Sequence, residues 1–141
     1  MTSEVGNNFI FETSVIVTDI ELNFPRVKLE KIAELKRLDP TLTILTKLVD
    51  IFFNETLDRL PEMKNFSITQ DFKNLSCVIH RFKSTTYNLG ASRAVELIGA
   101  IENAILRKAS TIEINQLIAV LHEECVETHE VLLASCRIGE A

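Results

Sequence analysis

Between residues 68 and 89, Ile68, Phe72, Leu75, Ile79, Phe82, Thr86 and Leu89 recur at spacings of 4, 3, 4, 3, 4 and 3. Steps alternating between four and three keep side chains on one stripe of an α-helix. A strand cannot present them, because its faces repeat every second residue. Three heptads of such a seam predict a helix packed along its length against other helices. Twenty-two residues of helix reach about 33 Å, a usual bundle length. Gly90 is placed either to end this helix or to let another approach closely.

The rest of the chain repeats the pattern. Val27, Leu29, Ile32, Ala33, Leu35 and Leu38 have near-helical spacing, and Asp39-Pro40 then punctuates, with Pro40 suited to open a new helix. The next helix carries Leu42, Leu45, Val49, Phe52, Phe53, Thr56, Leu57 and Leu60, and Pro61 marks its end or a kink. Asn65, Ser67 and Thr69 are candidate caps for the seam helix. Two further helices follow, through Ala94, Leu97, Ile98, Ile101, Ala104, Ile105 and Leu106, and from Ile112 to Leu132. Four glycines and three prolines are too few for the regular turns of an all-β domain, and after residue 25 they fall where helices are expected to end.

Long amphipathic helices with short connections predict antiparallel neighbours. The expected fold is therefore all-α: an up-down four-helix bundle over residues 27–141, with an additional short helix at 27–38, preceded by an N-terminal arm at 1–26. The arm includes FIFETSVIVTDIEL, whose β-branched and aromatic content suits an extended segment lying over the bundle or exchanged with a partner.

Composition narrows the function. The formal net charge is −5, with lysines and arginines scattered among acids. A nucleic-acid partner, which calls for a clustered basic patch, is not expected. Cys77, Cys125 and Cys136 make an odd count without a CxxC pair, which reads as a reducing, cytoplasmic setting. The N-terminus lacks a basic leader, and no apolar run approaches the roughly 20 residues that cross a bilayer. A soluble monomer with no membrane partner is expected.

His80 lies one residue past the seam position Ile79, rotated by about 100° off the core. Ser76 and Cys77 precede it by one turn, Lys83 and Ser84 follow by one turn, and Tyr87 and Asn88 continue the same side. Three readings are open: an ordinary surface histidine, a metal ligand, or a nucleophile that carries a phosphoryl group. The metal reading lacks a second ligand, since Lys83 and Ser84 are poor donors. The carrier reading has more to work with. Free imidazole is substantially neutral at neutral pH and attacks without a separate base. Lys83 supplies positive charge for phosphate oxygens, and Ser76, Ser84 and Thr85 are small enough to admit another backbone. A second group, His122, Cys125 and His129, approaches one face of the last helix, but Cys125 continues the core seam there. Glu123, Glu124, Glu127 and Glu130 read as a solvated face, and no metal is expected.

The run His80-Arg81-Phe82-Lys83-Ser84-Thr85-Thr86-Tyr87-Asn88-Leu89-Gly90-Ala91 resembles the phosphorylated helix of histidine-containing phosphotransfer (HPt) domains. That family has His-x-x-Lys-Gly, then small residues and a Leu-Gly or Ile-Gly ending. The upstream LDPTLTILTKLVDIFFNETLDRLPEMK resembles the family's preceding helix, so the likeness covers about residues 28 to 137. It implies a phosphorelay intermediate, and not an enzyme with turnover of its own. His80 would accept a phosphoryl group from a receiver-domain aspartate or a histidine kinase system and pass it to another receiver aspartate. Lys83 would stabilise the phosphate. Cys77, Arg81, Ser84, Tyr87 and Asn88 would face the receiver.

The implied partners are response-regulator receiver domains and a sensor or hybrid histidine kinase. The implied cofactor is none in this chain, Mg²⁺ belonging to the receiver. No Gly-rich phosphate loop occurs in the sequence. Ser84 departs from the family glycine: its side chain either narrows the approach or donates a hydrogen bond to the phosphate. That departure keeps an alternative open, an HPt-like module that docks receivers without phosphotransfer.

Overall fold

The computed structural model describes residues 25–137, and among them are five helices and no strand. In chain order they are α1 (Leu29–Leu38), α2 (Thr43–Ile68), α3 (Phe72–Asn88), α4 (Ser92–Leu106) and α5 (Thr111–Ser135). Each of α2 to α5 packs on its two neighbours in a closed ring, α2 on α3 and α5, α4 on α3 and α5, and α1 packs on α2. The all-α bundle with an added short helix is thus the observed fold. Most of the arm, residues 1–24, lies outside the described residues.

The core is the set of seam residues. Phe52, Leu60, Met63, Leu75, Ile79, Phe82, Leu97, Ile98, Ile101 and Leu121 are each at most 2% exposed. Phe52 of α2 and Phe82 of α3 stack with ring centroids 6.1 Å apart. Burying side chains of this size stabilises the fold by about 1.5–3 kcal/mol each. With Ile79 and Phe82 both inside, the rotation of α3 is fixed, and His80 must face out.

Several boundaries depart from the sequence expectation. Pro40 does not open α2. It lies in a turn in which the Leu42 N–H donates to the Asp39 carbonyl (3.0 Å), with Leu42 left-handed at φ 63, and the helix starts at Thr43. Asp39 supplies what Pro40 was expected to: its carboxylate accepts from Thr41 Oγ1 (2.6 Å) and from the Ile44 N–H (2.9 Å). These bonds, the Thr41 hydroxyl first, hold the Asp39 carboxyl below its ordinary pKa.

Pro61 neither ends nor bounds α2, which runs seven residues further to Ile68. The carbonyl it deprives of a partner belongs to Leu57, and both residues are exposed, so water can satisfy it. Ile68 accordingly closes α2 and is 54% exposed, so it does not begin the α3 seam. The cap of α3 is Asp71, which accepts from the Asn74 N–H (3.3 Å); Asn65, Ser67 and Thr69 all belong to the end of α2. Gly99 also falls inside a helix, α4, and not at an end.

Three consecutive helices close in the same way. After α2, α3 and α4, a residue with positive φ (Gln70, Gly90, Lys108) donates its N–H to the carbonyl three residues back, and the next N–H reaches five back. Only at Gly90 is a side chain excluded by space as well. A Cβ there would lie 2.9 Å from the Lys31 Cβ, because α1 crosses this turn and the Lys28 N–H donates to the Gly90 carbonyl (2.8 Å). Gly90 therefore both ends α3 and admits α1.

Candidate functional site

The ends of α3 are held by Asp71 and Gly90, and its inner face by Leu75, Ile79 and Phe82. What remains is an outer face carrying Lys73, Ser76, Cys77, His80, Ser84 and Asn88, all exposed. His80 stands in the middle of it. A shallow, open depression there is lined by Ser76, Cys77, His80, Arg81 and Glu102. His80 is exposed and has no hydrogen bond or ion pair among the described residues.

Lys83, one turn on, is less free than its position in the sequence implies. Its ammonium donates to Glu102 Oε1 of α4 at 3.1 Å, and the two side chains are 41% and 32% exposed. Glu102 is the residue that sequence reasoning missed. It lies 19 positions from Lys83, so nothing local signals it. The only available sign was its place next to Ile101 on a helix predicted to pack against α3. A half-exposed pair of this kind contributes about 0–1 kcal/mol, so a doubly charged phosphate nearby can take the ammonium over.

The five residues expected to face a receiver, Cys77, Arg81, Ser84, Tyr87 and Asn88, are all exposed, but the structure divides them. Cys77 and Arg81 border the His80 depression. Tyr87 lines a separate groove, with Lys28, Gly90, Ser92, Val95 and Glu96, at the turn into α4. Ser84 sits between, on an exposed mid-helix position where glycine costs about 0.5–1 kcal/mol. Ser84→Gly is therefore expected to lower the unfolding free energy in urea by about 0.5 kcal/mol, whatever it does to transfer. An unchanged midpoint would mean that Ser84 is strained in this helix.

The second cluster separates. Cys125 is fully buried, and burial first, then the neighbouring Glu124 charge, pushes its thiol far up. His122 is exposed, and His129 stacks on Phe53 with centroids 4.2 Å apart. Among the described residues no three His, Cys, Asp or Glu side chains come together to hold a metal, and no helix is long and apolar enough to cross a membrane. One expectation is corrected here: Glu124 is not part of a solvated face. It is 5% exposed and paired with Arg26 (Nε to Oε2, 2.7 Å), while the Thr128 hydroxyl donates to the same oxygen at 3.1 Å.

The family model of the Hpt domain matches residues 47–131, a span from the first turns of α2 through most of α5 that includes His80, Lys83 and Glu102. No curated protein and no solved structure matches the chain. Hpt domains are phosphocarrier modules of two-component signalling. A match over more than half of the 141 residues, on a bundle of the expected architecture, shows that the chain belongs to the Hpt domain family.

Proposed function

We propose that this protein is an intermediate carrier in a multistep phosphorelay, with His80 as the phosphorylated residue. The observation that carries the reading is the exposure of His80 at the centre of α3, flanked by exposed Ser76, Cys77 and Ser84, which leave room for a second domain. A ring nitrogen of His80 attacks the phosphorus of a receiver's aspartyl phosphate. The N–P bond forms as the P–O bond to the aspartate breaks, and the carboxylate leaves. The second transfer runs the same exchange onto another receiver's aspartate. No ATP site is needed in this chain, and the Mg²⁺ comes with the receiver. The expected setting is a cytoplasmic monomer that meets receivers and a sensor or hybrid kinase. Cys77, Arg81 and Ser84 form the near part of the contact, and Tyr87 and Asn88 its far part.

Lys83 then has two anions to choose between. A phosphoryl group brings roughly −1.5 to −2 charges, against one on Glu102. Glu102→Gln frees the ammonium and removes a repulsion from the phosphate. The equilibrium between receiver phosphate and phospho-His80 is expected to shift toward His80 by about two- to fivefold, within the range of a half-exposed ion pair. Lys83→Ala should shift it the opposite way. Equal shifts in the same direction would remove Lys83 from the role given to it.

The test of the function is to mix the purified protein with several phosphorylated receiver domains and follow phosphate. Label that moves to this chain and then to a second receiver supports the relay. A folded protein that binds receivers but takes no label supports a docking module instead.

A further inference from the structure

Arg81 follows His80 directly and stands about 100° round α3 from it, so the two side chains do not face one another. They meet by another route. Side chains of a helix lean toward its N-terminus and cover the turn before their own Cα. For His80 that turn presents Ser76 and Cys77, and for Arg81 it presents Cys77 and the buried Val78. Ser76 and Cys77 are small and leave a shallow depression, and both His80 and Arg81 line it. The long arginine stem can bring its guanidinium across these small residues toward the imidazole. Lys83 is rotated about 60° from His80 the other way round the helix, on the α4 side.

The other charges near the depression already have partners or lie further off. Glu102 is the acid in its lining, and Lys83 donates to it at 3.1 Å. On α2, which packs against α3, Glu55, Asp58 and Glu62 are paired with Arg59 at 3.7, 4.0 and 2.8 Å. Lys73 is exposed on the same face of α3, but it lies about 10 Å along the helix from His80. Arg81 is exposed and has no hydrogen bond or ion pair among the described residues. Lys83 must therefore leave Glu102 before it can meet a phosphate, whereas Arg81 gives up only water. A guanidinium is also less strongly hydrated than an ammonium, and its paired N–H groups match two phosphate oxygens.

We propose that Arg81 is a second phosphate-binding residue, its guanidinium meeting the phosphoryl oxygens on His80 from the side opposite Lys83. The inference deepens the phosphocarrier reading and rests on it. An incoming phosphoryl group is met by Arg81 at once, and Lys83 joins it as the bond to Glu102 gives way.

Phosphoramidate, a small phosphoryl donor, tests this without any receiver. A ring nitrogen of His80 attacks its phosphorus, and the new N–P bond forms as the old one breaks. Ammonia leaves, and the proton on the other ring nitrogen passes to solvent. The three histidines give three sets of ring signals by NMR, so His80 is timed against His122 and His129 in one sample. At pH 8 an exposed imidazole is almost wholly neutral with or without a cation beside it, so a changed rate is not a changed titration. In the parent His80 is expected to react faster than His122. Arg81→Ala should slow His80 about fivefold relative to His122, and Arg81→Lys should recover most of that loss. An unchanged ratio in Arg81→Ala overturns the proposal, as does a parent in which His80 reacts no faster than His122. A loss that Arg81→Lys fails to recover also overturns it, because the cause is then the stem and not the charge. If receivers never label His80 the relay fails, and these rates still decide the part of Arg81.

Discussion

His80→Gln is expected to take no acid-labile phosphate from any receiver that labels the parent, while its helical circular dichroism is unchanged and its unfolding free energy stays within about 0.5 kcal/mol, as for exposed substitutions away from packing. Glutamine keeps polarity and approximate bulk at an exposed position of α3. It lacks a nucleophilic ring nitrogen, since the lone pair of an amide nitrogen is delocalised into its carbonyl. The acid test matters because Ser84, Thr85 and Thr86 follow closely. A phosphate on a hydroxyl survives acid, whereas protonating the ring of a phosphoramidate turns imidazole into a good leaving group. Label lost in acid and kept in base is therefore histidine's. His122 and His129 are the internal controls: both lie on α5, and His129 is stacked on Phe53. Acid-labile label persisting on His80→Gln would move the carrier role to one of them and sink the assignment.

The side of α3 that bears His80 was legible because it follows from one number, the helical repeat. Once Ile79 and Phe82 are seen as seam, the histidine between them must face out, and the structure places all three accordingly. The ends of the helices were less legible. Gln70 and Lys108 adopt the same left-handed closing conformation as Gly90, yet nothing in their side chains announces it. Pro61 was read as punctuation because local rules give proline that meaning, but the buried Met63 and Ser67 beyond it hold α2 together. Glu102 and Glu124 were missed or misread for a common reason. Each finds its cation on a distant segment, Lys83 and Arg26, and the periodicity of one helix carries no information about which residue of another it meets.

Arg26→Ala is expected to destabilise the protein by about 3 kcal/mol, well beyond a surface substitution, because it strands a carboxylate inside. The Glu124 side chain is 6% exposed and that of Arg26 29% exposed, and the guanidinium reaches both carboxylate oxygens, at 2.7 and 3.3 Å. Without it, Glu124 keeps the Thr128 hydroxyl as its hydrogen-bond donor, which cannot balance a buried charge. The prediction separates two meanings of a buried ion pair. If the pair itself stabilised the fold, replacing both members with apolar residues would cost as much as losing the arginine. Desolvation argues otherwise: Arg26→Met with Glu124→Leu should lie within about 1 kcal/mol of the parent, because no buried charge is then left without a partner, Glu127 being exposed. A double-mutant cycle in urea, with Arg26→Met and Glu124→Leu as the single changes, measures the coupling directly. A loss below about 1 kcal/mol for Arg26→Ala would mean that water reaches Glu124 once the guanidinium is gone, and that residue 26 is held by Val27 and the Lys28–Gly90 hydrogen bond instead.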